Sequence, residues 1–457
     1  MGMAGSGSDA PRITLVGAGG MSFGPTMVND IIHTPSLTGA RLMLHDVNEE
    51  RLMRAYRFAA KLNAANNAPV VLDRTTRADV ALDGADFVIS AAEFRRFEYR
   101  RQDYEVPNRH GARQINGENG GPGAVFHTLR SVANTLGICA DIERHCPDAF
   151  LVNLSNPLSR VALAINRSTS IRNVSMCHEM PNGVNRQSKY LRMDAKDIEA
   201  RASGINHFTF FTEMVDRRTG EDLLHRVRAL FERPVFDYPD WTIALTKAAQ
   251  RVAPLAALAD ELYSPLVVHM VRTYGLVPCS IDSHIGEYLA FTPEVADWFP
   301  ARVDVMENFS AWGEGLASWV AQTTVPLPLQ RIGHSSEEAI PLLAALWTGE
   351  PRRLMAVNVP NDGYLPDVAD GAIVEVGATI DGDGIHPDEM GPLGEPLAGW
   401  TATQVELTDM LVESVLRGDK DLAFRALVED PLSPPNESAC RAMFDELCEL
   451  QADLLPF

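Results

Sequence analysis

The sequence predicts an α/β chain: a doubly wound parallel sheet with helices on both faces, followed by a mixed α+β region. Three observations predict it. Short apolar runs alternate with stretches of helical periodicity through the first third, and a glycine-rich turn joins the first such run to the first helix. Past about Ile198 the pattern changes to longer helices broken by strand-like pieces such as Phe208-Thr209-Phe210-Phe211.

Taken in order, Ile13-Thr14-Leu15-Val16 reads as a buried strand and Gly17-Ala18-Gly19-Gly20 as a tight turn. A helix follows with Met27, Val28, Ile31 and Ile32 on one face, stopped near Pro35. Arg41 to Asp46 reads as a second strand, and residues 49–65 as its helix. Pro69-Val70-Val71-Leu72, Asp86 to Ser90, Ala149 to Asn153 and Val174-Ser175-Met176 read as further strands. Residues 358–366 and 381–396, rich in Pro, Gly and Asp, read as turns or surface loops. The chain therefore divides into a disordered leader (1–11), a Rossmann-type domain (12–192) and an α+β substrate-binding and oligomerisation domain (193–457). At this length two lobes, each with its own core, are expected.

Composition excludes several classes. A formal charge of −21 argues against a nucleic-acid partner and against an anionic membrane surface. No apolar run approaches the roughly 20 residues a membrane span needs, and the Gly/Ser-rich start has no signal-peptide core. The six cysteines are scattered without a CxxC pair, which points to a reducing cytoplasm rather than a disulfide framework.

The glycine turn has a chemical reading. A glycine-rich turn between a strand and a helix lets backbone approach a pyrophosphate, whose charge the helix N-terminus stabilises. Gly17, Gly19, Gly20, Met21, Ser22 and Phe23 would cradle it, with Ser22 where a third glycine would stand. Asp46, at the end of the second strand, suits ribose hydroxyls and would repel a 2′-phosphate, which favours NAD over NADP. Farther along, Cys177 follows a strand and His207 a turn. A thiolate and an imidazole can meet at the C-terminal edge of the sheet as ligands of a divalent ion such as Mn²⁺, leaving positions open for substrate hydroxyls. Read singly, Cys177 is more often a small buried hydrophobe and His207 a core or surface histidine.

Six strings in order tie these residues together. They are Gly17 to Phe23, Gly117-Glu118-Asn119-Gly120-Gly121-Pro122-Gly123, Asn153-Leu154-Ser155-Asn156-Pro157, Cys177-His178-Glu179-Met180, Gly204-Ile205-Asn206-His207, and Asp282-Ser283-His284 with Glu287-Tyr288. Together they resemble glycoside hydrolase family 4, the NAD-dependent glycosidases, or a sister family sharing the mechanism. The resemblance implies an unusual cleavage of an α-glycoside. NAD takes hydride from C3, a metal-bound ketone makes the C2 proton acidic, a base removes it, the aglycone leaves, water adds and the hydride returns. It implies NAD and Mn²⁺, or another divalent ion, as cofactors, with Cys177 and His207 on the metal. It places the C2 base at Asp282, with Tyr288 and His284 as fallbacks, and leaving-group assistance at His178. Asn153 would line the cofactor, while Asn156, Asn206, Glu118 and His284 would face the sugar. Gly20, Glu118-Asn119 and the Cys-His-Glu-Met string depart from the family's usual residues, which bears on the sugar more than on the reaction. A homodimer or homotetramer follows by the same analogy.

Residues 94–113 carry Arg95, Arg96, Arg100, Arg101, Arg109 and Arg113 in an otherwise acidic chain. Guanidinium groups suit a carboxylate, phosphate or sulfonate, so a sugar with an anion at C6 (a uronide or sulfoquinovoside) is expected, with Arg96 at the substrate. The alternative is that these arginines pair with neighbouring carboxylates or cofactor phosphates. At the level of activity the alternatives are a neutral α-glucosidase or α-galactosidase of the same mechanism, a 2-hydroxy-acid dehydrogenase on the same fold, and a non-catalytic sugar or NAD sensor.

Overall fold

A computed structural model describes residues 10–20, 23–250, 252, 263–296, 302–323, 329 and 332–457. Of the expected leader only Ala10 and Pro11 are described, and Met21 and Ser22 of the glycine turn lie outside the described residues.

The strands are β1 (Arg12–Val16), β2 (Arg41–His45), β3 (Val71–Thr75), β4 (Phe87–Ser90), β5 (Phe150–Asn153) and β6 (Arg172–Ser175), then β7 (Ile198–Ile205), β8 (Phe208–Asp216), β9 (Arg352–Pro360), β10 (Ile373–Asp381) and β11 (Gly384–Pro387). All belong to one 11-stranded sheet in the order β3-β2-β1-β4-β5-β6-β9-β10-β7-β8, with β11 on β10. The first six run parallel in the order 3-2-1-4-5-6, the doubly wound arrangement that opens a crevice where the order reverses, between β1 and β4. β4 and β5 are buried along their whole length, as strands covered on both faces must be. From β6 onward the pairing turns antiparallel.

The strands and helices expected in the first third are present, including the helix Glu49–Ala65. The arginine-rich segment, to which the sequence reading gave no element, is a helix, Arg96–Arg109. Residues 358–366 were expected to be loop, yet Asn358 lies inside β9, 1% exposed, paired with Ser175 on one side and Glu375 on the other. Pairing across the sheet overrides the polar composition there.

The expectation of two lobes with separate cores also differs from what is found. One core packs Val88, Leu129 and Ile165 against Leu411, Phe424 and Phe444. A second packs Ile13, Leu44 and Val152 against Leu343, Leu346 and Ile380. A parallel sheet must be covered on both faces, and here the C-terminal helices Leu397–Arg417 and Glu437–Leu450 help to cover one of them. The last third, which carries no motif, completes the first.

Candidate active site

The glycine turn sits at the C-terminal end of β1. Gly17 and Ala18 donate to the His45 carbonyl at 2.9 and 3.0 Å, and Gly19 donates to Asp46 Oδ2 at 2.9 Å. Gly17 has φ +81°, and a Cβ there would meet the Ala91 carbonyl at 2.8 Å, so both conformation and space require glycine. A Cβ on Gly19 would lie 2.7 Å from Asp46 Oδ2. The close helix–strand approach expected of a third glycine is made by Gly24, whose Cβ would fall 2.5 Å from the Ala18 carbonyl. Asp46 also receives the Asn48 amide at 2.8 Å, which fixes its carboxylate at the rim of the turn.

Three other segments converge near the sheet's edge. Glu179 opens the helix Glu179–Leu191, where the helix N-terminus favours a carboxylate. His207 lies in the two-residue turn between β7 and β8, in the left-handed region at φ +65°. His284 belongs to the short helix Asp282–Ile285. Their ligand atoms all lie within 4.8 Å of one another. The two imidazoles stack, centroids 4.1 Å apart and 7° from parallel, and His284 Nδ1 lies 3.2 Å from Glu179 Oε1. Burial holds His207 down to about 3, with the neighbouring His284 adding to the effect, so its ring is neutral and available as a ligand. Burial also lowers the affinity of His284 for a proton, but Glu179 outweighs it and the net shift is upward.

The donor set fits a divalent ion. Two imidazoles and a carboxylate are the ligands such ions take, and Glu179 Oε2 is buried without a hydrogen-bond partner. His207 Nδ1 lies 3.0 Å from the Asn119 side-chain amide. The amide nitrogen Nδ2 is the atom that faces the ring, so it donates to Nδ1 of the neutral imidazole. The expected pair was Cys177 and His207; the group that the structure brings together is Glu179, His207 and His284. Cys177 stands beside it, its thiol hydrogen-bonded by the Asn206 side chain and pushed up by burial and by Glu375 and Glu179.

The remaining expected residues fall into three groups. At the cluster, His178 caps the helix of Glu179, with Nδ1 2.7 Å from Glu337 Oε1 and its ring 6.0 Å from Phe23, which joins the cluster to the glycine turn. The Asn206 side chain donates to Glu375, and its Oδ1, like Asn156 Oδ1, is buried without a partner. Glu118 is held ionised, far below the usual carboxylate range: Arg100 and Arg96 outweigh the opposing effect of burial.

A second group is committed to scaffolding. Asp282, expected as the base, accepts the Leu266 and Val267 amides, both at 2.8 Å, at the start of the helix Pro265–Tyr274. Both carboxylate oxygens are thereby committed to backbone amides. Tyr288 donates to the Asn206 carbonyl at 3.0 Å, and Asn153 bonds Ser175 Oγ at 3.0 Å from a fully buried position. The third group is the arginines, each paired within the chain: Arg95 with Glu98 and Asp453, Arg96 with Glu93, Arg100 with Glu118, Arg101 with Glu105 and Glu307, Arg109 with Glu446, and Arg113 with Glu294.

Three carboxylates escaped the sequence reading of the site. Glu179 stands inside a quoted string and was given no role. Glu287, wholly buried, accepts the Glu118 amide at 2.6 Å and the Asn119 amide at 3.1 Å, clamping the glycine loop, and burial raises it to about 7. Glu375 is the one acid in the apolar run Ile373-Val374-Glu375-Val376, a signal that could have found it.

The family model for family 4 glycosyl hydrolases matches residues 12–192, and the model for their C-terminal domain matches residues 202–433. The chain belongs to that glycosidase family. An α-glucosidase of Erwinia rhapontici is 30% identical over 450 residues, covering 95% of this chain and 96% of that protein. An α-galacturonidase of Thermoanaerobacter italicus (strain DSM 9252 / Ab9) is 24% identical, covering 95% of each. A 6-phospho-α-glucosidase from gut microorganisms, solved in complex with NAD and Mn²⁺, superposes with a TM-score of 0.82 at 21% identity, covering 98% of this chain and 99% of that one. At that identity the likeness extends to the fold. The family 4 chain described here thus has its glycine turn and its acid–imidazole cluster on one sheet.

Proposed function

We propose that this family 4 glycosidase cleaves an α-glycoside with NAD bound at the glycine turn and a divalent ion, Mn²⁺ by preference, at the cluster. The observation that carries the reading is the group Glu179, His207 and His284, joined to the glycine turn through the contact of His178 with Phe23. Glu179, His207 and His284 would hold the ion, with Cys177 at its side. When bound, NAD and the ion supply a transient oxidation at C3 and an acidified C2 proton.

The chain's own groups do the rest. His178, held by Glu337 and shifted upward on balance, donates a proton to the departing aglycone oxygen. Asn206 and Asn156 offer buried carbonyl oxygens to sugar hydroxyls. Glu118, kept ionised, faces the sugar between Arg96 and Arg100. Asp282 and Tyr288 are spent on backbone groups, and His284, with its free ring nitrogen on the ion, has no lone pair left for the C2 proton.

For the sugar, we propose an anion at C6. Two arginines of the dense segment support it, because Arg96 and Arg100 lie at Glu118 at the looser distances of 3.6 and 3.7 Å. The α-galacturonidase relative acts on such a sugar. The neutral reading is favoured by the pairing of the other four arginines away from the cluster and by the α-glucosidase relative. Rates on aryl α-glucoside, α-galactoside, α-galacturonide and α-sulfoquinovoside, with NAD and Mn²⁺ present, separate the two: faster cleavage of a neutral glycoside contradicts the anion. We also propose a homodimer or homotetramer in the cytoplasm, with the exposed Trp241, Leu245, Leu316 and Trp319 at the subunit contact. Sedimentation checks it. No helix among the described residues is long and apolar enough to cross a membrane.

A further inference from the structure

One buried carboxylate lies under the cluster, and no step above uses it. Glu375 sits on β10, in register with Asn358 of β9 and with Gly204 of β7, and is 1% exposed. Three donors converge on it. Asn206 Nδ2 reaches Oε2 at 3.0 Å, Asn358 Nδ2 reaches Oε2 at 2.9 Å and Thr209 Oγ1 reaches Oε1 at 2.8 Å. Among the described residues no cationic side chain pairs with it. Burying a carboxylate without a counter-charge is costly, and apolar neighbours on the same strand show that this position could have held valine or isoleucine.

Oε2 faces two amides and accepts from both, and a carboxyl oxygen in that place dictates the orientation of each amide that meets it. Asn206 must turn Nδ2 toward Glu375. The carbonyl oxygen Oδ1 is left buried, unpartnered and pointing elsewhere. Were the amide reversed, its oxygen would face a carboxylate.

We propose that Glu375 is a positioning residue that locks the Asn206 side chain with its buried Oδ1 turned away from Glu375, as the acceptor for a ring hydroxyl of the bound sugar. The proposal rests on the glycosidase reading for its ligand, though not for the lock itself. Glu375 does not touch substrate. Its effect is carried by hydrogen bonds rather than by charge, which gives Glu375→Gln a definite outcome. The new amide oxygen accepts from Asn206 and Asn358. The new amide nitrogen donates to Thr209 Oγ1, whose proton already has the Ile205 carbonyl at 2.9 Å as a second acceptor.

The experiment compares wild type, Glu375→Gln and Glu375→Leu as full-length protein with [¹⁵N]asparagine, the Asn206 side-chain signal being assigned from Asn206→Asp. The lock requires slow exchange of the Asn206 amide protons in wild type and in Glu375→Gln, and fast exchange in Glu375→Leu. On the best aryl glycoside of the panel above, KM should stay within about threefold in Glu375→Gln. It should rise about tenfold or more in Glu375→Leu, with a smaller change in kcat, the scale typical of residues that orient a direct ligand. Fast exchange in the wild type, or a folded Glu375→Leu with unchanged exchange and KM, overturns the proposal. So does a Glu375→Gln variant as impaired as Glu375→Leu, because charge and not orientation would then be at work. If Glu375→Leu does not fold, Glu375→Gln decides alone. If no glycoside is cleaved, the glycosidase reading fails separately and the exchange result still tests the lock.

Discussion

The glycine turn and the acid–imidazole cluster are neighbours built by different means. The turn is held by backbone groups of adjacent segments, with Gly17, Ala18 and Gly19 tied to His45 and Asp46, and its requirement for small residues is written in a few consecutive letters. The cluster is assembled from side chains of three distant segments, and each member depends on a different support: a helix start for Glu179, a left-handed turn for His207 and a short helix for His284. Changes at the turn should therefore act through strain and stability, and changes at the cluster through chemistry with the fold kept.

The largest expected effect lies at the cluster. Glu179→Gln should lower Mn²⁺ affinity and glycoside turnover by about 100-fold or more, while NAD affinity changes little. Titration of Mn²⁺ by electron paramagnetic resonance, beside NAD binding by calorimetry, separates the two sites. Loss of both together would mean that the cluster is scaffold for the turn. At the turn, Gly17→Ala forces a Cβ into the Ala91 carbonyl at a positive φ and should cost about 2 kcal/mol of stability together with NAD binding. A melting temperature equal to that of the wild type would contradict this.

Asp282 sharpens the comparison, because it stands in a cluster segment yet caps a helix. Asp282→Asn should cost about 1 kcal/mol of stability and change kcat less than about tenfold. A fall of about 10³-fold at unchanged stability would restore it as the base. The smallest effect is in the pH dependence of stability. Burial raises Glu338 from 4.5 to about 7, where it accepts the Met355 and Ala356 amides. Its folded-state value lies above its unfolded one, so its contribution is fully present below about pH 4.5 and is lost as pH rises through about 7. Glu338→Gln should reduce the loss of stability between pH 5 and 8 by on the order of 1 kcal/mol. An unchanged slope in thermal melts would contradict the assignment.

The same contrast explains what could be read from the sequence. The parallel strands and the glycine turn were legible because each is a local pattern: an apolar run, a punctuating glycine, a periodic helix. Asp46 followed from its place at a strand end. The strand at Asn358 was not legible, since its polar residues belong to a row of paired positions, Ser175, Asn358 and Glu375, that only the sheet brings side by side. Nor was the contribution of the C-terminal helices to the first core, because an amphipathic helix does not announce which sheet it will cover. For the site, the resemblance pointed to strings that the structure brings near one another, with neighbours the sequence did not show. Glu179 and His284 lie with His207, and Asp282 is turned toward a helix start. The arginine-rich segment read as an anion site from density alone, but carboxylates as distant as Glu446 and Asp453 fold back onto it.

Counting product against cofactor tests the central claim most directly. An aryl glycoside from the panel is incubated with the purified chain, Mn²⁺ and a trace of NAD, while released aglycone and NADH absorbance are followed together. The account expects aglycone in large excess over the NAD present and no net NADH, because hydride taken from the sugar returns to it within each turnover. NADH accumulating in step with product would contradict it and would make this chain a dehydrogenase.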